Sequence, residues 1–399
     1  MRQSFAVGLL ALSLTSPARA QEVSEQDFLA GFSEGHAALR ALQDRLAAAE
    51  AARVRAGTVS NPRLEFWREQ PDANPRLTNW TLAWTPPLDG RFGVAKRAAE
   101  AGVGAARERL AADRARLRQE LRRVFAEWSL SSAARGVHAQ QLELVRPLAE
   151  AERQRARAGE AAGLSARRLS LAEAEARAAL RETEAALALA EAVARAWRPD
   201  LAPQVTAIPP MPPAPPVQLS AVDTPELRSL ALDVERLDLE ARRAGRFWGF
   251  PTLQFGWQRL EDRGATVDGP IFAANWSIPL FDRDKAARLE AEMRREAVAA
   301  QQQLARARVS AEVQGGLAAY RLLVVSAGEA RQAADDSGRV IEAATAAYRA
   351  GEATLTDLLD AVRTAFAARL RELAVRGRAL ETHRALEAAL GRPLVEGGQ

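Results

Sequence analysis

The sequence predicts a mainly α-helical protein with a small transmembrane β portion, built from two internal repeats. Three observations predict this fold class. The chain resembles itself at a shift of about 190 residues, and each half contains a long stretch with apolar residues at heptad spacing. Each half also contains two short stretches in which apolar and polar residues alternate.

The repeat is visible in matched segments of the two halves. His36–Leu42 resembles Thr224–Leu230, Pro62–Phe66 resembles Pro251–Phe255, and Arg157–Ala161 resembles Arg349–Ala353. The predicted order of elements in each half is a helix, two strands, a very long helix, a turn and a long helix. We expect the repeats to span 21–198 and 218–393, with a semi-rigid Pro-rich connector at 199–217 and a tail at 394–399.

The long helices are predicted from a heptad pattern. Val103, Leu110, Leu117 and Val124 follow one another at seven-residue steps, which is the spacing of a coiled coil. A helix from about residue 94 to 158 would reach about 100 Å at 1.5 Å per residue. This pattern alone is also compatible with an ordinary antiparallel coiled-coil rod.

Four strands are predicted from alternation, at about 62–69, 79–88, 250–260 and 270–281. Trp80, Leu82 and Trp84 alternate with smaller or polar residues, and such alternation over about ten residues is typical of outer-membrane strands. We expect an aromatic girdle at the membrane interface from Trp67, Trp80, Trp84, Trp257 and Trp276. A soluble sheet with a tryptophan core remains the alternative.

Four strands cannot close a barrel, and a sheet with free edges is not viable in lipid. Two chains would supply eight strands, whose interior is filled by side chains, so a conducting barrel needs at least three chains. We therefore expect a trimer with a 12-stranded β-barrel and a long α-helical barrel.

Residues 1–20 have the features of a signal peptide that is removed on export. Arg2 precedes an apolar stretch, and Ala18-Arg19-Ala20 has the form of a cleavage site. Removal leaves 53 basic and 51 acidic side chains, a net charge of +2, so we expect no nucleic-acid partner. No run approaches the roughly 18 apolar residues of a transmembrane helix.

The sequence offers little for catalysis. The chain has no cysteine, and His36, His138 and His383 are scattered through helical segments. Gly102-Val-Gly104 lacks the third glycine of a dinucleotide-binding loop. We expect no enzyme activity, no cofactor and no resident metal site.

Three motifs resemble the TolC-type outer membrane efflux protein family. They are Asn61–Leu64, where the chain enters the first strand, Pro279–Arg283, where it leaves the fourth, and Tyr348–Ala361 at the second helical turn. The resemblance covers essentially residues 25 to 393. It implies a homotrimer in the outer membrane of a Gram-negative bacterium, with a long periplasmic extension and contact with outer membrane lipid. It also implies a periplasmic adaptor and an inner-membrane pump, of the RND type rather than the ABC type.

By the same resemblance, Asp357 and Asp360 match the acids that ring the periplasmic entrance in family members. Their spacing puts both on one helical face, and rings of carboxylates favour cations. Acids solvating an outer face, or favoured by the helix dipole, are the alternative. Our hypothesis is a closed state in which Arg167 and Arg168 pair with these acids.

The family resemblance also implies that the two helical turns dock the adaptor. The tip residues are Gly159, Gly163, Leu164, Ser165, Gly351, Leu355 and Thr356. Glycines that simply end helices would explain Gly159 and Gly351 equally well.

Two functional alternatives to an efflux channel stay open at this point. The first is a periplasmic coiled-coil scaffold or adaptor, and the second is an outer-membrane channel for type I protein secretion. If the chain is an efflux channel, divalent metal cations are a candidate substrate, because Ile278–Arg283 resembles the CzcC-type heavy metal branch.

Overall fold

The computed structural model describes residues 23–32, 36–70, 75–159, 163–200, 207–213, 223–246, 248–281 and 283–394. The predicted signal peptide lies outside the described residues, as do parts of the connector and the end of the tail. The elements in chain order are α1 (Glu25–Ala30), α2 (Ala37–Ala56), β1 (Arg63–Glu69), β2 (Arg76–Trp84), α3 (Arg91–Arg157), α4 (Gly163–Trp197), α5 (Pro225–Ala244), β3 (Thr252–Asp262), β4 (Ala265–Asn275), α6 (Lys285–Ala350) and α7 (Leu355–Leu390).

The predicted order of elements occurs twice, from α2 to α4 and from α5 to α7. The two longest helices, α3 and α6, contain 67 and 66 residues. α3 begins three residues before and ends one residue before the predicted bounds. None of the described helices combines the length and the apolar character needed to cross a membrane.

The chain divides into two compact units, and α3, α6 and α7 each contribute to both. We call residues 34–117, 215–318 and 385–399 the sheet unit, because it contains all four strands. Residues 1–33, 118–214 and 319–384 form the turn unit, which contains the two helical turns.

In the sheet unit, the strands form one antiparallel sheet in the order β1-β2-β3-β4. The two halves of the chain therefore meet at the β2–β3 pair, where Trp80 lies opposite Trp257. A tight turn joins β3 to β4: Arg263 has φ 46° and Gly264 has φ 90°, as a type I′ hairpin turn requires.

Two of the predicted strands need correction. The second strand begins at Arg76 and ends at Trp84, because Pro86 and Pro87 have no N–H to donate to a ladder. The fourth begins at Ala265, directly after the tight hairpin turn, and ends at Asn275. Residues 276–281 continue the alternation in sequence but lie beyond the paired strand.

Packing beside the sheet depends on small residues. Val94 and Ala98 on α3 form a buried cluster with Leu239 on α5. A side chain at Gly102 or Gly104 would meet α5 at 3.2 Å, from Arg236 and Leu232 respectively. The Gly102-Val-Gly104 sequence thus allows α3 and α5 to approach closely.

In the turn unit, the core gathers residues from both helical hairpins. Leu169 of α4 and Leu358 of α7 are fully buried, and Val145 and Ala149 of α3 pack with them. Arg384 of α7 is 2% exposed and pairs with Glu25 at the start of α1.

The described part of the connector, residues 207–213, is bound to helices of the turn unit. Tyr320 Oη donates to the carbonyl oxygen of Pro212 at 2.7 Å. The Arg376 guanidinium donates to the carbonyl of Pro209 at 2.8 Å. Polar side chains therefore satisfy carbonyl groups in a segment that has no regular secondary structure of its own.

Candidate functional sites: the apolar sheet face and the helical turns

One face of the sheet is apolar and open to its surroundings. The register places Trp80 beside Phe66 and Trp257, and Leu82 beside Leu64 and Phe255. These six side chains are between 45% and 66% exposed. Such a contiguous apolar patch marks a surface that meets a partner or a membrane.

On the opposite face of β2, the side chains are buried. Asn79, Thr81 and Ala83 are 3%, 6% and 6% exposed. Gly256 lies opposite Thr81, and a side chain at Gly256 would collide with the carbonyl oxygen of Trp80. The sheet thus turns polar residues inward and apolar residues outward, which is the reverse of a soluble sheet and argues against the tryptophan-core alternative.

Charged and aromatic groups mark the two ends of the apolar face. At the hairpin end, Arg259 forms a bidentate pair with Asp268 at 2.9 and 3.2 Å. At the other end, Trp84 Nε1 donates to the Ser60 carbonyl at 3.1 Å, and Trp276 Nε1 donates to the Gly249 carbonyl at 2.9 Å. Tryptophans with an apolar body and a satisfied polar tip suit an interfacial position.

Trp67 does not share the face of the other predicted girdle residues. The register places it opposite Asn79, and it is 44% exposed at the edge strand β1. We therefore restrict the predicted girdle to Trp80, Trp84, Trp257 and Trp276, because side chains alternate between the two faces along a strand.

The second helical turn contains a reciprocal cap. Gly351 has φ 79°, the left-handed conformation that ends α6. The Thr354 hydroxyl accepts from the Asp357 amide at 3.2 Å, and the Asp357 carboxylate accepts from the Thr354 amide at 2.9 Å. Hydrogen bonds from the Thr354 side chain and backbone lower the pKa of Asp357 below 3.8.

Asp360 lies one turn further along α7 and is exposed. Arg167 and Arg168 are also exposed, on the start of α4. Arg168 Nη1 donates to the Thr356 hydroxyl at 3.0 Å, so it links the two turns beside the acids. The hypothesised pairs of Arg167 and Arg168 with Asp357 or Asp360 are not among the ion pairs formed by the described residues.

A second link between the hairpins was not predicted from the sequence. Tyr348 Oη on α6 donates to Glu152 Oε1 on α3 at 2.9 Å, and Arg155 approaches the same oxygen at 2.9 Å. Burial and the neighbouring Glu152 carboxylate raise the pKa of Tyr348. Tyr348 was recognised only as part of a motif, because no local pattern indicates a partner 196 positions away.

The predicted docking residues differ in exposure. Leu164 is 61% exposed, whereas Leu355 is 9% exposed and packs in the buried cluster around Leu358. Gly159 and Gly351 have open space around them: a side-chain carbon added at either position would have no described atom within 4 Å. We therefore remove Leu355 from the predicted docking surface and keep the other tip residues.

The second half of the chain is similar to a known protein family. Residues 217–392 match the family model of the outer membrane efflux protein family. No curated protein sequence matches the chain.

Solved structures match over nearly the whole chain. CusC superposes with a TM-score of 0.77 at 16% identity, covering 92% of this chain and 92% of CusC. The Vibrio cholerae outer membrane protein VceC gives 0.73 at 15% identity, covering 93% and 97%. The Campylobacter jejuni outer membrane channel CmeC gives 0.75 at 11% identity, covering 98% and 94%.

These similarities confirm the resemblance inferred from the motifs, and a family of efflux proteins agrees with the expectation that the chain is no enzyme. Residues 217–392 therefore match the outer membrane efflux protein family, and the chain as a whole has the fold seen in solved outer membrane efflux channels.

Proposed function

We propose that this chain is the outer-membrane channel of a tripartite efflux system, conducting small solutes from a periplasmic pump complex to the exterior of a Gram-negative cell. The observation that carries the proposal is the sheet with its outward apolar face, bounded by tryptophans at one end and ion pairs at the other. β3 and β4, with 11 residues each, have the length of a tilted transmembrane strand.

The edges of the sheet support a homotrimer. β1 and β4 are the outer strands, and each has one side that pairs with no strand of the described chain. Unpaired backbone groups are too costly in lipid, so β1 of one protomer would pair with β4 of the next. Three protomers would close a barrel of twelve strands, wide enough to conduct.

The helical turns are proposed as the periplasmic entrance and adaptor-docking tips. Threefold symmetry would turn Asp360 into a ring of exposed carboxylates, which favours cations over anions. The exposed Leu164, together with Gly163 and Ser165, offers an apolar contact for a helical hairpin of an adaptor. An RND-type pump is the proposed inner-membrane partner, on the basis of the family resemblance.

For the substrate we propose divalent metal cations, supported by the resemblance of Ile278–Arg283 to the CzcC-type branch. A deletion strain tests this with its sensitivity to zinc, cobalt and cadmium compared with dyes and drugs. Sensitivity to drugs alone would contradict the metal assignment but would leave the channel intact as a proposal.

The channel itself is tested by fractionation and conductance. We expect heat-modifiable migration of an outer-membrane trimer, and discrete conductance steps after reconstitution in planar bilayers. Recovery as a soluble monomer after osmotic shock would contradict the channel and favour the scaffold or adaptor alternative. Loss of secretion of a protein substrate in the deletion strain, with normal resistance to solutes, would favour type I secretion.

A further inference from the structure

The sheet unit contains a cavity of about 1120 Å³ between α2, the start of α3 and the end of α5. We call it the arginine cavity, because six arginines and four acids contribute to its lining. The arginines are Arg45, Arg55, Arg91, Arg109, Arg236 and Arg243, and the acids are Asp89, Asp113, Asp233 and Glu240. Much of the remaining lining is alanine from α2 and α3.

The arginines of the cavity are not equally compensated. Asp233 is 3% exposed and pairs with both Arg109 and Arg236. Arg91 reaches Asp284 at 2.9 Å, and Arg45 approaches Asp113 at 3.8 Å. Arg55 and Arg243 form no ion pair with any residue that the structure describes. The cavity thus has two guanidinium groups available for an anion, above an apolar alanine surface.

The cavity adjoins the tryptophan end of the sheet. Its lining includes Thr85, Pro86 and Pro87, which directly follow Trp84, and Ser60, whose carbonyl accepts the Trp84 indole N–H. α2 forms one wall, and none of the 20 residues of this helix is buried. The basic cavity therefore lies directly beside the tryptophan end of the sheet.

We propose that the arginine cavity binds an anionic phospholipid of the inner leaflet, with its phosphodiester at Arg55 and Arg243 and acyl carbons against the alanines. The choice of leaflet depends on the proposed function, which puts the helical side of the sheet toward the periplasm. Basic pockets at a membrane surface select anionic headgroups. The volume exceeds the roughly 300–1,000 Å³ of ordinary small-molecule pockets, which leaves room for part of the acyl chains.

The test is native mass spectrometry of the detergent-purified full-length protein, titrated separately with phosphatidylglycerol and phosphatidylcholine. We expect selective retention of phosphatidylglycerol, weakened roughly ten- to thirty-fold in the double variant Arg55→Gln/Arg243→Gln, since each arginine near a membrane surface adds about 1 kcal/mol. Inorganic phosphate at equal concentration should not displace the lipid, because it lacks acyl chains.

The matched control is Arg53→Gln/Arg97→Gln. These arginines are exposed on the same α2 and on α3, but neither lines the cavity. Equal lipid binding by both double variants, in protein that still forms channels, would overturn the lipid site and leave the channel function standing. Loss of lipid binding by the wild type once trimers assemble would mean that a neighbouring copy fills the cavity, which also overturns the proposal.

Discussion

The two helical turns occupy equivalent places in the repeats but are stabilised differently. Each preceding helix is followed within two residues by a glycine with φ 79°, Gly159 after α3 and Gly351 after α6. The second turn then forms the reciprocal Thr354–Asp357 cap, whereas α4 has no acid in its first turn and carries Arg167 and Arg168 soon after. The helix dipole favours Asp357 but gives the arginines no benefit.

This difference separates a turn with a local cap from one whose contact, among the described residues, is with the other hairpin. Three residues of the second turn account for its geometry, while the described contact of Arg168 is with Thr356 of the other hairpin. The first turn is therefore the better candidate to change its contacts when an adaptor docks, and the second turn the better candidate for a fixed support.

The largest expected effect comes from the glycines that the turns share. Gly159→Ala and Gly351→Ala should each destabilise the protein by about 1–2 kcal/mol, because L-residues are strained in the left-handed conformation. Thermal unfolding in detergent, followed by circular dichroism, measures this. Gly163→Ala is the control, since Gly163 is the first residue of α4, is not among the glycines with positive φ and has open space around it. Equal destabilisation by the control would show that the left-handed conformation is not what selects glycine at the two turns.

Next in size is the link between Tyr348 and Glu152. Tyr348→Phe removes a donor from a carboxylate residue that is 5% exposed, so we expect a loss of about 1–3 kcal/mol. The other tyrosine of the chain provides a comparison: Tyr320→Phe removes a bond to the neutral Pro212 carbonyl and should cost about 1 kcal/mol. Urea unfolding of the detergent-solubilised protein distinguishes the two, and a larger cost for Tyr320→Phe would contradict the assignment.

We expect the two acids of the second turn, Asp357 and Asp360, to have different roles. Asp360→Asn should lower cation selectivity in planar bilayers, because its carboxylate is exposed and makes no hydrogen bond or ion pair with the described residues. Asp357→Asn should chiefly destabilise the turn, because that carboxylate accepts from Thr354. If Asp357→Asn alone abolished selectivity, Asp357 would be the entrance acid and Asp360 the solvated one.

The pH dependence follows from the lowered pKa of Asp357. The folded-state pKa lies below the ordinary 3.8, so the cap contributes its full stabilisation above that value and loses it as pH falls through the folded-state pKa. Unfolding midpoints of the wild type and Asp357→Asn should therefore converge only below about pH 4. Convergence near neutral pH would contradict the cap.

The smallest effect is expected at the arginines. Arg168→Gln should raise leakage through the closed channel modestly, because it weakens the link to Thr356 at 3.0 Å. Arg167→Gln is the adjacent control and should leave leakage unchanged. The measurement is the open probability of single channels at low voltage, and a larger effect of Arg167→Gln would favour a pairing between protomers over the observed contact.

Much of the fold could be predicted from sequence, because its periodicities are local. Heptad spacing indicated α3, and alternation indicated the exposed parity of Trp80 and Trp84. The limits of β2 and β4 depended on prolines and a type I′ turn, which a pattern of alternation does not detect.

The sites were harder to predict than the fold. Thr354 and Asp357 have the spacing of a capping box, which is a local signal for the start of a helix and says nothing about an entrance. The contacts of Tyr348 with Glu152 and of Arg168 with Thr356 join residues nearly two hundred positions apart, and a single sequence has no local pattern for them. The burial of Leu355 likewise depends on which neighbours the tertiary packing supplies.

The pairing of β2 with β3 also constrains how the protein is made. Trp80 and Trp257 belong to different repeats, so β2 cannot pair with β3 until the chain has been synthesised beyond residue 262. Pairings between such distant residues form slowly. During that interval the first hairpin has an unpaired edge and an apolar face, so we expect the incomplete chain to be prone to aggregation.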